Sequence, residues 1–445
     1  MARYNLHYIY VLLFLAISFS ALINADEPAS TQPQQEPTPL PTSEASKVIP
    51  SPTPAVQPLE QVPLDVPIPT KMVGGKQEIP IGTSLPLKDE VSLIGNQIFD
   101  GMSIFFNKIQ KEKTNIPFIY KLEVMNDYGD IKQMRANIKE LKAKSPLFLN
   151  FWGPDSTNSI LQLSKKYPLF LFFPFEGTIS HRISQNQNLI YLRPTYEQQI
   201  EALIHYAVNT INKRKIAIFY EASEQGEDAL AALKRILKKY DLPLIAEGSY
   251  QQGTLNVQKA VDEVAVKSPN AILCFGNPRP AYNFIRQIIN KGLYKTVILG
   301  LDTLTLIQKP LKRSRGIKII TSSAVPDPQR SNLKIVQEYR QDMSKYAPNK
   351  TLSIFSLEAY INAALLVECT KRITPPFTTQ KLLRCIEDIK NVRFKGITLN
   401  FNPETRTLSN QVWIDPGEGK EWFLANTSTQ DAQDETPTKQ KNGEK

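Results

Sequence analysis

The chain has 445 residues and carries 53 lysines and arginines against 43 aspartates and glutamates, a formal net charge of +10. Hydrophobic residues make up 41% of the chain and charged residues 22%, which excludes disorder along its whole length. Its three histidines and three cysteines are too few for a disulfide-framework protein or a zinc-cluster protein.

The first segment, 1–25, has the pattern of a secretion signal. Arg3 supplies a positive charge, an apolar run extends from Tyr8 to about Ile23, and Ala25 is a small residue at the expected cleavage point. An uncleaved membrane anchor is the alternative interpretation. In both cases we expect export to the periplasm.

Two further segments are predicted to lie outside the folded body. Residues 26–76 are dense in proline, threonine, serine, glutamine and glutamate, which predicts a disordered and semi-rigid linker. Residues 423–445 are polar and predict a disordered tail.

Strand and helix patterns alternate through the body. Strands are predicted at 79–82, 118–125, 146–151, 169–173, 189–193, 215–220, 244–250, 271–276 and 296–300. Helices are predicted at 95–111, 131–144, 156–166, 196–212, 227–240, 255–266 and 282–291. This alternation predicts an α/β protein with parallel sheets covered by helices on both faces, and the number of strands predicts two doubly wound lobes.

In such sheets, ligands bind outside the C-terminal ends of the strands. The candidate loops are 83–95, 152–156, 174–178, 221–226, 277–280 and 301–303. The chain has no G-x-G-x-x-G, P-loop, G-x-S-x-G or H-E-x-x-H motif, and only His181 and His205 lie beyond the N-terminal segment. An exported α/β enzyme is therefore the least favoured class, and we predict neither catalysis nor a cofactor.

The carboxylates of the sequence NDYGD and the short basic clusters favour structural roles. Asp127 and Asp130 are predicted to act in a turn and a helix cap, because no third carboxylate is close enough in sequence to suggest a metal site. The basic clusters at 212–215 and 309–315 are short and lack interleaved aromatic residues. They predict a solvated basic face and no nucleic-acid partner.

The cysteines all lie in apolar surroundings. Cys274 ends a predicted strand, so we expect it to be buried. Cys369 and Cys385 either stay as thiols or pair in an oxidising compartment.

The order of segments along the body carries a family resemblance. The segments are IPIGTSLPLKDEVSLIGNQIFDGM, KLEVMNDYGDIKQMRANIKEL, NFWGPDSTNSI, NLIYLRPTYEQQIEALIHYAV and FKGITLNFNPETR. In this order they resemble the branched-chain amino-acid-binding (Leu/Ile/Val-binding) family of ABC-transporter substrate-binding proteins.

The resemblance implies the type-1 periplasmic-binding fold: two Rossmann-like lobes, three hinge crossovers and a ligand cleft between the lobes. It places the crossovers near 193–196, 322–325 and 407–411. Lobe 1 would then be 77–194 plus 324–407, and lobe 2 would be 195–323 plus 408–422. The cleft would close on its ligand by a hinge motion.

The resemblance also implies where an amino acid would bind. The ammonium position matches Asp302, although an aspartate after a strand is also a common turn residue. The carboxylate position falls on Pro154, which has no hydroxyl and no N–H, so Ser156 and Thr157 are the donors that remain. Ser156 is equally interpreted as a helix N-cap.

Other cleft positions depart from the family pattern. Phe175 and Glu176 stand where small residues are expected, and Thr178 is a candidate hydroxyl after one insertion. Gln225 and Asn277 replace aromatic residues. The apolar contact falls on Ile94.

These positions predict a periplasmic solute-binding protein that delivers a small polar or amino-acid-like ligand to an inner-membrane ABC permease. The alternative is a non-transport interaction or sensory module that docks another envelope protein. Under the first hypothesis, replacing Asp302 with alanine is expected to abolish ligand binding and leave folding intact, because a loop carboxylate contributes little to a core.

Overall fold

The structure is a computed structural model that describes residues 71–88, 92–112, 116–311 and 317–425. The predicted signal segment, residues 26–70 of the predicted linker and residues 426–445 of the predicted tail lie outside this description. So does part of the basic cluster at 309–315.

Two sheets organise the described residues. The first sheet contains β1 (Met72–Val73), β2 (Lys76–Leu85), β3 (Phe118–Asn126), β4 (Leu147–Leu149), β5 (Phe170–Phe172) and β6 (Leu189–Ile190). The second contains β7 (Ile216–Ala222), β8 (Leu244–Gln251), β9 (Ala271–Phe275), β10 (Val297–Gly300) and β11 (Lys318–Ser323). After the hairpin of β12 (Val392–Phe394) and β13 (Ile397–Leu399), β14 (Trp413–Asp415) and β15 (Phe423–Leu424) complete the second sheet.

Helices connect the strands. They are α1 (Ser92–Lys111), α2 (Ile131–Leu141), α3 (Pro154–Ser164), α4 (Tyr196–His205), α5 (Glu224–Lys238), α6 (Gln258–Ala265), α7 (Pro278–Asn290), α8 (Thr305–Leu311), α9 (Lys334–Tyr346), α10 (Ile354–Lys371) and α11 (Thr379–Glu387). A π-helical turn continues α4 at Tyr206–Thr210, and a 3₁₀ turn at Asp302–Leu304 precedes α8.

The sheets have the parallel pairing that the alternation predicts. In the first, β3, β2, β4, β5 and β6 are neighbours in that order and parallel. In the second, β8, β7, β9, β10 and β11 are parallel, and β14 and β15 add antiparallel strands at one edge. The predicted two-lobe α/β fold is confirmed.

The ends of the folded body differ from the predicted boundaries. Residues 71–76, assigned to the linker, contribute β1 and the start of β2, because Gly74 and Gly75 adopt positive φ angles of 56° and 78° and make a tight hairpin turn. At the other end, Phe423–Leu424 pairs with β14, although we predicted the tail to begin at 423.

The chain passes between the two hydrophobic cores at three places. These are 190–196, 320–325 and 408–412, between residues that pack in the core around the first sheet and residues that pack in the core around the second. The first and third passages touch, since Tyr191 and Thr407 form a parallel bridge. Two of the three connections between the lobes therefore run side by side.

The buried side chain of Arg182 forms hydrogen bonds to both of these passages. The Arg182 side chain donates to the carbonyl oxygens of Arg193 at 2.7 Å and Pro194 at 3.3 Å, and to the Thr407 hydroxyl at 3.4 Å. Its guanidinium lies 4.1 Å from the centre of the Tyr191 ring. Hydrogen bonds of one buried side chain therefore link the first and third connections between the lobes.

Helices α1 and α10 approach closely at a glycine. A Cβ atom at Gly101 would lie 2.0 Å from the Ser356 carbonyl oxygen. Replacing Gly101 with alanine is therefore expected to lower the free energy of unfolding by about 1–3 kcal/mol, despite the better helix propensity of alanine. Chemical denaturation measures the change. The matched control is alanine at the exposed α1 residue Asn107, and equal stability of the two variants would contradict the expected steric cost.

Candidate functional site

The C-terminal ends of strands from both sheets face one cavity of about 450 Å³. The first lobe lines it with Pro86, Asp127, Gly129, Asp130, Ile131, Met134, Trp152, Gly153, Pro154, Asp155, Ser156 and Phe175. Arg193 and Tyr196 line it from the first passage between the lobes and the start of α4. The second lobe lines it with Glu221, Ser223, Gln225, Gln252, Gly253, Cys274, Phe275, Gly276, Asn277, Leu301, Asp302 and Thr303.

Two residues with a left-handed backbone conformation turn the first-lobe loops toward this cavity. Asn150 and Phe173 directly follow β4 and β5 and have left-handed φ angles of 58° and 55°. For a bulky residue such as phenylalanine this conformation is unfavourable and has to be held by its surroundings. Beyond the turns, Trp152 and Phe175 pair as a parallel bridge at the cavity wall.

Arg193, which lines the cavity with Asp302, forms an ion-paired triad with one acid from each lobe. Its guanidinium donates to the carboxylate of Asp302, in the 3₁₀ turn that follows β10, and Nε lies 3.2 Å from Oε1 of Glu358 on α10. All three residues are at most 4% exposed. The acid expected to meet a ligand ammonium thus already holds a cation from the chain itself.

The triad has one positive charge for two acids, and the pKa values reflect this. Burial would lower the pKa of Arg193, but Glu358 and Asp302 outweigh it, so the pKa lies above its ordinary value. Burial raises the pKa of Glu358 to about 7; Arg193 opposes that rise and Asp302 adds to it. Glu358 is therefore the acid of the triad that takes up a proton near neutral pH.

The premise of our Asp302 substitution is wrong. We expected a loop carboxylate with little role in folding, but Asp302 is 4% exposed and balances the buried Arg193. Its replacement by alanine leaves a buried cation with Glu358 as its remaining partner, so we expect the substitution to destabilise the fold as well.

On the second-lobe side, Glu221 lies at the end of β7 and is 8% exposed. Its Oε2 accepts from the Tyr250 hydroxyl at 2.9 Å and from the Asn277 side-chain amide at 2.6 Å. Burial raises the pKa of Tyr250, which keeps its hydroxyl a donor. These contacts hold the Glu221 carboxylate at the cavity wall.

On the first-lobe side, the acidic turn after β3 contributes Asp127 and Asp130. Asp130 caps α2 by accepting from the backbone N–H of Gln133 at 2.7 Å, as predicted. Asp127 accepts from the Gly129 N–H and the Ser84 hydroxyl, each at 2.9 Å. Burial raises the pKa of Asp127, and these two donors oppose the rise.

Helix α3 begins at Pro154, two residues before the predicted start. Proline suits the first helical position because its missing N–H would have no partner there. The N-cap is Gly153, so the N-cap interpretation of Ser156 is wrong. The Ser156 hydroxyl instead donates to the carbonyl oxygens of Trp152 at 2.9 Å and Gly153 at 2.7 Å, which share its proton. Thr157 is buried, and its hydroxyl makes no hydrogen bond to any described residue.

Glu176 points into the protein beneath the cavity. It is fully buried and accepts from the Tyr191 hydroxyl and the Thr178 N–H, each at 2.6 Å. Burial would raise its pKa, but His181 at 3.4 Å and the charge of Arg182 outweigh that effect, so the pKa lies below its ordinary value.

The structure brings some of the expected ligand contacts together and separates others. Asp302, Ser156, Gln225 and Asn277 line the main cavity. Gln225 also lines a small neighbouring cavity of about 70 Å³ with Thr178. The three remaining candidates are Ile94, which packs in the first-lobe core, Thr157 and Glu176, and none of them lines the main cavity.

Sequence reasoning missed several parts of the lining. The turn at Asp127–Ile131 and the pair Gln252–Gly253 follow strands that were predicted, so the rule about strand ends could have included them. Met134, Tyr196 and 274–276 were also outside the candidate loops. Arg193 is the missed side chain with the largest role in the site. An arginine directly after an apolar strand was the available signal.

The structure also describes the three cysteines and the helices that could be tested as membrane spans. Cys274 is buried as predicted, and Cys369 and Cys385 are free thiols. No helix within the described residues is long and apolar enough to cross a membrane.

Two solved structures have the same fold. A possible leucine/isoleucine/valine-binding protein from Rhodopirellula baltica superposes with a TM-score of 0.71 at 19% identity, over 79% of this chain and 97% of that one. The substrate-binding protein LivJ of a branched-chain amino acid transporter from Streptococcus pneumoniae, in complex with isoleucine, gives 0.67 at 15% identity, over 78% and 100%.

The sequence itself matches a curated protein and a family. Receptor-type adenylate cyclase B of Leishmania donovani is 29% identical over 157 residues, which are 34% of this chain and 12% of that protein. The model of the family described as periplasmic binding protein matches residues 121–415, well over half of the chain. The chain therefore belongs to the periplasmic binding protein family.

Proposed function

We propose that this protein captures a small polar or amino-acid-like solute between its lobes by hinge closure and presents it to an inner-membrane ABC permease. The observation that carries the proposal is a cavity into which strand ends of both sheets project. A ligand that contacts both lobes binds the closed arrangement more tightly than an open one, so it shifts the population toward closure.

The connections between the lobes support this mechanism. Three passages join the lobes, and the first and third run side by side and are linked by hydrogen bonds from Arg182. Narrow connections of this kind let the lobes rotate while each hydrophobic core stays intact, which is how a hinge works.

We assign the ligand contacts first to the cavity-lining candidates Asp302, Ser156, Gln225 and Asn277. Asp302 contacts a ligand amine only by sharing its carboxylate with Arg193. Thr157 and Thr178 remain candidates because their buried hydroxyls make no hydrogen bond to a described residue, and a buried polar group is normally satisfied. Contacts from Glu176 or Ile94 require a rearrangement of the first lobe.

Thermal unfolding of the full chain against amino acids, amides, polyamines, short peptides and sugars tests the proposal. A ligand at 100 times its dissociation constant adds about 2.7 kcal/mol to the free energy of unfolding. For a folded body of roughly 350 residues, that raises the unfolding midpoint by roughly 4 °C. A smaller radius of gyration in X-ray scattering with the same ligand checks closure.

A second candidate function, a non-transport envelope module, is favoured by the triad. Arg193 supplies within the chain the cation that Asp302 would otherwise take from a ligand. The curated relative is named a receptor-type protein, which is compatible with sensing. A flat ligand panel from protein that unfolds cooperatively contradicts solute capture and supports this candidate.

A further inference from the structure

The lining of the cavity is acidic although the chain is basic. Among the described residues, its charged members are one arginine, Arg193, and five acids: Asp127, Asp130, Asp155, Glu221 and Asp302. None of the described lysines lines it. The whole chain carries +10, so the negative lining is opposite in sign to the rest of the protein.

Most of this negative charge is uncompensated. Arg193 is already paired with Asp302 and Glu358. Among the described residues, the other four acids of the lining make no ion pair with lysine or arginine. A cation that enters the cavity therefore meets four carboxylates, of which Asp127 and Asp130 already accept hydrogen bonds from Gly129, Ser84 and Gln133, and it displaces no lysine or arginine of the described residues from them.

Glu221 is the acid of the lining whose carboxylate is held in place by the second lobe. It is more than nine-tenths buried, and Tyr250 and Asn277 both donate to its Oε2. Its Oε1 accepts no hydrogen bond from a described residue. Because Glu221 lines the cavity, this oxygen is the part of the carboxylate left to accept from a ligand donor.

The same cavity offers little to an anion. Helices α3 and α7 both begin at its wall, and each begins with a proline, Pro154 and Pro278, which removes one of the N–H groups that bind anions at helix starts. Asp155 adds a negative charge in the first turn of α3. The Ser156 hydroxyl donates to backbone carbonyl oxygens.

Aromatic rings complete the lining with a surface suited to cations. Trp152, Phe175, Tyr196 and Phe275 line the cavity. Tyr196 and Phe275 pack edge to face with ring centres 5.3 Å apart. Ring faces attract ammonium and guanidinium groups, most strongly where water is excluded.

We propose that the cavity binds an organic amine or guanidine that carries no carboxylate, with Glu221 accepting from its cationic group. The proposal rests on solute capture in this cavity. It separates the ligand from a free amino acid, whose α-carboxylate would face the same acids.

Matched pairs of compounds test the proposal by titration calorimetry on the full chain. Agmatine and cadaverine differ from L-arginine and L-lysine by the missing carboxylate. We expect at least one of the two decarboxylated compounds to bind at least about tenfold more tightly than its amino acid, because like charges a few ångströms apart repel. Its affinity is expected to fall as ionic strength rises, because salt screens the attraction.

A substitution that removes one carboxylate charge tests where the compound binds. Glu221→Gln is expected to weaken the binding of that compound roughly tenfold to a hundredfold, the range of a charge-assisted hydrogen bond. The control is Glu224→Gln, which makes the same change at an exposed residue of α5 outside the lining and is expected to leave affinity unchanged. Circular dichroism of both variants checks folding.

The outcomes separate this inference from solute capture itself. If an amino acid binds as tightly as its decarboxylated partner, or if a neutral compound is preferred, the cavity captures solutes but the cationic class is wrong. If Glu221→Gln and Glu224→Gln have equal effects, the contact at Glu221 is wrong. If nothing in the wider panel binds, both proposals fail.

Discussion

Replacing Arg193 with methionine is expected to lower the free energy of unfolding by about 3–5 kcal/mol at neutral to mildly alkaline pH. The guanidinium is buried between Asp302 on one lobe and Glu358 on the other. Methionine fills much of the space but leaves two buried carboxyl groups without their cation. Removing one partner of a buried ion pair costs more than the pair contributes, because the desolvated charge stays behind.

Two comparisons separate the electrostatic cause from lost packing. Arg235→Met makes the same change at an exposed pair with Glu197, and surface pairs contribute at most about 1 kcal/mol. The triple variant R193M/D302N/E358Q keeps the packing defect but removes both stranded acids, so it is expected to recover most of the loss. Chemical denaturation measures all of them. An R193M protein as stable as R235M would show that the triad does not stabilise the junction of the lobes.

The alternation of elements was predictable from local pattern. Buried strands such as Ile216–Ala222 and amphipathic helices such as Glu224–Lys238 carry their periodicity in consecutive residues. The ends of the strands were harder to predict. We predicted strands at 146–151 and 169–173, but both strands end earlier in the structure. Asn150 and Phe173 turn left-handed there, a conformation that glycine and asparagine favour and that phenylalanine does not signal.

The location of the site was predictable from the sequence, but the contacts between its side chains were less so. The rule about strand ends found the loops around Trp152 and Asp302 because it depends only on topology. The pairing of Arg193 with Asp302 spans 109 residues and is a property of the folded chain. The resemblance pointed the other way, since it implied that Asp302 waits for a ligand. A single sequence does not show that the protein provides its own cation.

A second large effect is expected from pH, through Glu358. Burial raises the pKa of this carboxyl to about 7, whereas an exposed glutamate titrates near 4.5. Between these values the folded protein keeps a proton that the unfolded chain has released. Stability therefore falls as pH rises through this window, by about 3 kcal/mol for this residue alone.

The variant Glu358→Gln isolates this contribution. Glutamine stays neutral at every pH, so its free energy of unfolding relative to the wild type is expected to rise by about 3 kcal/mol between mildly acidic and mildly alkaline conditions. Other buried acids, such as Asp127, titrate in both proteins and cancel in the difference. Glu176 also cancels, and its lowered pKa acts at more acidic pH with the opposite sign.

The direction of the pH effect decides which partner controls Glu358. If Arg193 at 3.2 Å outweighed burial, the pKa of Glu358 would lie below its ordinary value and the relative stability of Glu358→Gln would not rise above pH 5. A rise shows that burial outweighs the charge of Arg193 at Glu358. Denaturant titrations of both proteins across this pH range measure the difference.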